Sequence, residues 1–118
     1  MAFSVSSLFR ISQPPAFKGG WNVESITAHK TLTNSDACFQ FLTPDAAYNV
    51  LLPRVSTTDA GRFFVIINKA GDAFNLTAQR YDGTSVAAWE FARQVGIVFF
   101  VTDAGAWELA CKLEIRAD

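Results

Sequence analysis

Gly61–Ala110 reads GRFFVIINKAGDAFNLTAQRYDGTSVAAWEFARQVGIVFFVTDAGAWELA, and this stretch decides the fold class. Glycines stand at 61, 71, 83, 96 and 105, and the gaps between them are 10, 12, 13 and 9 residues. The intervals hold short runs of Phe, Val, Ile and Trp. Turn formers at that spacing, separating short apolar runs, predict an antiparallel all-β domain. Asp82-Gly83 has the composition of a hairpin turn. Phe74, Leu76 and Ala78 alternate with Asn75, Thr77 and Gln79, the period of a half-buried strand.

Two segments of the stretch depart from alternation. Phe63–Ile67 and Ile97–Val101 are each five consecutive apolar residues. Strands of that kind are covered on both faces. Left open, they would be uncharged, proline-free and prone to aggregate. In a chain this short, a second subunit is the expected cover. The contact is expected through Phe64, Ile66, Val98 and Phe100. Ser85–Val95 supports two readings. Its helix formers end at Gly96, as a helix with a glycine cap would. Trp89 and Phe91 also share one face of a strand, and the flanking strands and turns favour that second reading.

Downstream, Trp107, Leu109, Cys111, Leu113 and Ile115 alternate with Glu108, Ala110, Lys112, Glu114 and Arg116. This predicts a final strand with the apolar set, Trp107 included, on the core side. Upstream, a strand is expected from Asn22 through Leu32, then a turn at Asn34-Ser35-Asp36. Cys38–Leu42 follows with Phe39 and Phe41 on one side, then a turn at Thr43-Pro44-Asp45. Tyr48, Val50 and Leu52 alternate before Pro53 ends the run. The expected fold is a single antiparallel β-sandwich or jelly-roll-like barrel of seven to nine strands over residues 22–118.

Residues 1–21, MAFSVSSLFRISQPPAFKGGW, form an extended N-terminal arm in this reading. Pro14 and Pro15 favour extended backbone, and Gly19-Gly20 supplies a hinge. Phe3, Val5, Leu8, Phe9, Ile11, Phe17 and Trp21 make the segment too apolar for a solvated tail. It either packs as a first strand on its own domain or binds a partner. Its interrupted apolar run and missing positive cluster do not fit a signal peptide.

Composition narrows the function classes. Half of the 118 residues are hydrophobic and only 18% are charged, with eleven Phe and three Trp. That is more apolar surface than a lone small sandwich hides comfortably, which again points to subunit contacts. The net charge is −1 without a basic cluster, so nucleic acid is not an expected partner. No apolar run reaches the ~20 residues of a membrane span. Cys38 and Cys111 lack metal-ligand spacing and are expected as free thiols in strands.

No residue set suggests catalysis, and neither metal nor cofactor is expected. His29 is the sole histidine, flanked by threonines on a polar strand face. Asp59, Asp72, Asp82 and Asp103 each sit within two residues of a glycine, where aspartate bonds its own turn backbone. Phosphate loops, nucleophile elbows and paired-cysteine motifs are missing from the sequence. Sugar stacking would rest on Trp21, since Trp89 and Trp107 are expected in the core.

A set of phrases carries a family resemblance. They are Thr31-Leu32-Thr33, Val50-Leu51-Leu52-Pro53, Gly61-Arg62-Phe63-Phe64-Val65-Ile66-Ile67-Asn68, Phe74-Asn75-Leu76-Thr77, Asp82-Gly83 and Val101-Thr102-Asp103-Ala104-Gly105-Ala106-Trp107. Together they resemble the β-rich modules of tailed-bacteriophage virion proteins: capsid decoration (cement) proteins, head fibres and fibre bases. The resemblance covers about residues 31 to 110. It implies a homotrimeric structural protein, made in the host cytoplasm and carried on the capsid surface, with the major capsid protein as partner. It would give the arm, Phe3, Val5, Leu8, Phe9, Ile11, Pro14, Pro15, Phe17 and Trp21, the role of gripping the capsid. No long fibre repeat follows the module, which favours a decoration protein. A head-fibre or tail-fibre base module and a carbohydrate-binding module are the alternatives.

Overall fold

A computed structural model describes residues 20–114. Among these described residues nine strands form two sheets: β1 (Trp21–Ile26), β2 (Lys30–Thr31), β3 (Phe39–Pro44), β4 (Tyr48–Leu51), β5 (Phe63–Asn68), β6 (Leu76–Gln79), β7 (Ser85–Phe91), β8 (Val95–Val101) and β9 (Trp107–Glu114). A single 3-10 turn, Thr57–Asp59, interrupts the loop before β5. The first sheet has the order β1-β3-β5-β8-β9 and the second β2-β4-β6-β7. The expected all-β sandwich is the observed class, and Ser85–Phe91 is a strand.

The pairing sense differs from expectation. β1, β3 and β5 run parallel to one another, as do β2, β4 and β6, while the remaining three pairs are antiparallel. The cause is the path of the chain. From β1 to β6 it alternates between the sheets, so each strand returns beside the strand two before it. Parallel neighbours need a crossover, commonly a helix. Here a strand of the opposite sheet serves as the crossover. The continuous strand expected over 22–32 is therefore two strands, β1 and β2, separated by a bend at Thr27-Ala28 where the chain changes sheets.

After β6 the chain turns back through Asp82-Gly83 into β7. Gly83 supplies the positive φ of +82°, and its N–H donates to the Arg80 carbonyl at 2.8 Å. β8 and β9 form a second hairpin, closed by the Gly105 N–H on the Thr102 carbonyl at 2.9 Å. Gly105 has φ +78°, and a Cβ there would lie 2.6 Å from the backbone of Ser56 and Thr57. Only a residue without a side chain lets these loops approach so closely.

Between the sheets lies one core: Ile26, Leu32, Leu42, Val50, Leu52, Phe64, Ile66, Leu76, Ala78, Trp89, Phe91, Ile97, Phe99, Val101 and Trp107. Trp89 meets Phe99 edge-on at 4.9 Å, and Phe64 lies 5.6 Å from Trp107. The Trp107 indole N–H donates to the Pro53 carbonyl at 2.8 Å, so its polar atom is satisfied inside the core. Asn68 is fully buried and ties three segments together. Its Nδ2 donates to the carbonyls of Phe74 (2.9 Å) and Phe91 (3.2 Å), and its Oδ1 accepts from the Ala70 N–H at 2.9 Å.

The last strand corrects the expected facing. Phe99 pairs with Leu109 and Val98 with Cys111, leaving Ala110 as the extra residue of a β-bulge. The bulge resets the alternation. Trp107 and Leu109 face the core, whereas Cys111 and Leu113 turn outward and are exposed. The turn expected at Thr43-Pro44-Asp45 starts later, because Thr43 and Pro44 complete β3 and the bend falls at Asp45-Ala46.

Candidate functional site

The surface that invites a function is the outer face of the five-stranded sheet. Cross-strand register identifies its members. Trp21, Phe39, Val65, Val98 and Cys111 form one row across the sheet, and Val23, Phe41, Ile67, Gly96 and Leu113 form the next. Phe63 and Phe100 pair in a third, with Glu108 beside them at the margin. A sheet face turned away from its core is ordinarily polar. Here the two central rows are apolar from edge to edge, and the polar Ser25, Thr43 and Glu108 stand only at the ends of the face.

Its aromatic side chains touch. The Trp21 ring is tilted over Phe39 at 4.9 Å and Phe41 at 5.4 Å, and Phe39 meets Phe63 edge-on at 6.3 Å. Exposure varies across the face. At the margins Trp21 is 66%, Val23 78% and Leu113 38% exposed. At the centre Val65 and Ile67 retain only 8% and 6%. Gly96 fits the middle row because an added Cβ would lie 3.0 Å from Ile67 Cγ1.

Both open sides of the sandwich are closed by polar groups. Between edge strands β1 and β2, Lys30 Nζ donates to Glu24 Oε1 at 2.8 Å. Asn22 Nδ2 donates to that same oxygen at 2.9 Å and to Gln40 Oε1 at 2.7 Å, and buried Gln40 donates onward to the Ala37 carbonyl at 2.7 Å. The Lys30 hydrogen bond, followed by that from Asn22, holds the Glu24 carboxyl below its ordinary range. Across the molecule Lys112 reaches from β9 to the Glu90 carbonyl on β7, 3.4 Å away.

The residues expected at a subunit interface divide between two surfaces. Phe64 and Ile66 point into the core, at 2% and 0% exposure, and cannot serve as contacts. Val98 and Phe100 lie on the outer face, half-buried. A continuous apolar run has two faces, and the cross-strand register assigns the outward one to Phe63, Val65 and Ile67. Of the expected arm, Phe3, Val5, Leu8, Phe9, Ile11, Pro14, Pro15 and Phe17 lie outside the described residues. Trp21 is the first residue of β1 rather than part of an arm.

The chemistry-bearing residues occupy turns. His29 Nδ1 accepts the Asn49 N–H at 2.8 Å, and the Tyr48 hydroxyl donates to Asp45. Asp59 accepts from the Ser56 N–H at 2.9 Å, Asp72 from Ala73 at 2.8 Å and Asp82 from Thr84 at 3.0 Å. Hydrogen bonds from Thr84 lower the Asp82 carboxyl below its ordinary range. Among the described residues no group of three or more His, Cys, Asp or Glu is placed to hold a metal ion. Cys38 is buried and Cys111 exposed, and neither is in a disulfide.

The sequence pattern had put Phe39 and Phe41 on one side of their strand. It missed that this side joins Trp21, Val23 and the outward half of β5 in one surface. The two-residue spacing was the available signal, but it carries no inside or outside. Comparison with known proteins finds no matching family model, no matching curated protein and no matching solved structure.

Proposed function

We propose that this chain is a structural virion protein, a decoration protein that binds the outside of a tailed-phage head and stabilises the shell. One observation carries the reading: the apolar outer face of the five-stranded sheet, with Trp21, Val23 and Leu113 open at its margins. Contiguous apolar surface of this kind marks protein–protein contact. A large aromatic residue beside aliphatic neighbours is the usual energetic anchor of such contacts. The phage-module resemblance over residues 31 to 110 supplies the class of partner, a capsid lattice, and the homotrimeric state. Symmetric attachment multiplies weak contacts through effective concentration, so a modest patch per subunit suffices.

The test is localisation. Antibody raised against the purified chain should label heads at symmetric positions in electron micrographs of particles from its source. Label confined to the tail would assign the chain to a fibre base, and unlabelled particles would end the virion reading. Light scattering should give the mass of three chains; a monomer at assay concentration would remove the trimer. Trp21 carries a second reading, glycan stacking, because its ring is the most exposed aromatic of the described residues. Glycan-array binding that disappears in Trp21→Ala would favour it.

A further inference from the structure

We infer that the two edges of the five-stranded sheet join head to tail between copies of this chain, with β9 of one subunit beside β1 of the next. Three observations carry the contact. First, both edges are open. Among the described residues β1 pairs with β3 alone and β9 with β8 alone. An unpaired edge presents a row of N–H and C=O groups that accept another strand. Exposed apolar side chains gather at the same two edges. Of the four large hydrophobic residues exposed among the described ones, Trp21 and Val23 lie on β1 and Leu113 on β9.

Second, the edges match in direction and facing. β1 runs parallel to β3 and β5, and β9 returns to that direction after the antiparallel β8. A neighbouring copy can therefore continue the sheet as a parallel pair over residues 111–114, beyond the bulge at Ala110. Outward Cys111 then stands beside Val23 of the partner subunit, with outward Leu113 diagonal to it, within side-chain reach. The Cys111 thiol stays open above the sheet, because continuation adds a neighbour at its side and nothing on top.

Third, charge favours this pairing over its rivals. In that register Lys112 stands beside Glu24 of the partner subunit. Both lie on the inner side of their strands, Lys112 level with buried Ile97 and Glu24 with buried Leu42. Both hydrogen bonds that hold Glu24 fall on Oε1, which leaves Oε2 to face the ammonium group. Lys112 has a 3.4 Å contact with the Glu90 carbonyl and no carboxylate partner among the described residues. Pairing β9 with a second β9 fares worse. The antiparallel registers that bring Cys111 to Cys111 or to Leu113 set Glu108 opposite Glu114 or Lys112 opposite Lys112, and like charges directly opposite destabilise a sheet. A head-to-tail contact makes a ring where its rotation closes. Closure at three copies agrees with the homotrimer proposed above, while the edge contact itself does not rest on the virion reading.

The experiment is disulfide trapping in the full chain. Within one subunit, positions 23 and 111 are four strand spacings apart, about 19 Å, too far for a bridge. Val23→Cys in a Cys111→Ser background is co-expressed with the unaltered chain, and the purified protein is mildly oxidised. The mixture should give at least about tenfold more cross-linked pair than either chain alone, because a bridge needs Cα atoms within about 7 Å. Position 23 is 78% exposed, so its substitution leaves the fold intact, and unreactive Cys38 checks this. Lys112→Glu in the unaltered chain should lower the yield about threefold or more, as attraction becomes repulsion. Either chain cross-linking to itself as strongly as the mixture does overturns the inference in favour of a two-fold contact. A mixture without cross-links overturns it as well. A 23–111 bridge in an assembly of some other number of chains supports the edge contact and removes only the homotrimer.

Discussion

Replacing Asn68 by alanine should cost this domain a large part of its stability. The side chain is fully buried and has three partners: the Phe74 and Phe91 carbonyls and the Ala70 N–H. Alanine leaves all three without it, and no other side chain is positioned by β5 to replace it. Each orphaned buried group costs about 1–3 kcal/mol. Water can reach the part-buried Phe74 carbonyl, so about two full penalties remain, and the loss should be about 3–5 kcal/mol. A domain of this size has only about 5–15 kcal/mol in total. At roughly 4 °C per kcal/mol, the melting temperature should fall by about 12–20 °C.

Asn68→Asp sharpens the argument. Its carboxylate keeps an acceptor for the Ala70 N–H but turns negative charge toward two carbonyls. Desolvation and those dipoles raise its folded-state pKa above the unfolded value, so the native state binds the extra proton. The penalty is greatest above the raised pKa and shrinks as the pH falls toward the ordinary aspartate range. Urea unfolding at several pH values measures both variants. A loss below about 0.5 kcal/mol in Asn68→Ala would refute this account, since surface substitutions do no more. A pH-independent penalty in Asn68→Asp would refute the dipole argument.

Three further predictions come from local geometry. Gly105→Ala should lose more stability than Gly83→Ala, since both need positive φ but only at Gly105 does a Cβ meet backbone, at 2.6 Å. The positive-φ cost alone is about 1 kcal/mol, so paired melts should separate the variants by at least that much again; equal losses would dismiss the close approach. Glu24, depressed by Lys30 and Asn22, contributes stability above its unfolded pKa that disappears as the pH falls through its lower folded value. Glu24→Gln should flatten the stability profile between about pH 6 and pH 3, by an amount kept small because the side chain is 40% exposed; an unchanged slope would count against the pair. Cys111 should react with a thiol reagent in the native protein and Cys38 only after denaturant, because the bulge turns Cys111 outward; equally slow thiols would mean the bulge is not there.

Local chemistry alone determined most of where the chain is extended and where it turns, though not the bend at Thr27-Ala28 or the end of β3 at Pro44. Alternation at Tyr48–Leu52 and Phe74–Ala78, the paired turn residues Asp82-Gly83 and the glycine spacing each act over a few residues, so they can be read in order. The same local signals placed Trp89 and Trp107 in the core and separated Trp21 from them. Tertiary structure decided the rest. Alternation partitions side chains into two sets but does not say which set faces the other sheet. That depends on strands far apart in sequence, which is why Phe64 and Ile66 went inward and Phe63, Val65 and Ile67 outward. Parallel stacking of β1, β3 and β5 arises from the chain changing sheets at each turn, and no two-residue period records a change of sheet. The bulge at Ala110 reverses the facing of everything after it, although the sequence there continues its alternation without a break. Asn68 reads as the polar end of an apolar run until the Phe74 and Phe91 carbonyls are brought to it by β6 and β7, and hydrogen-bond partners supplied by distant segments exist only once the sheets have packed.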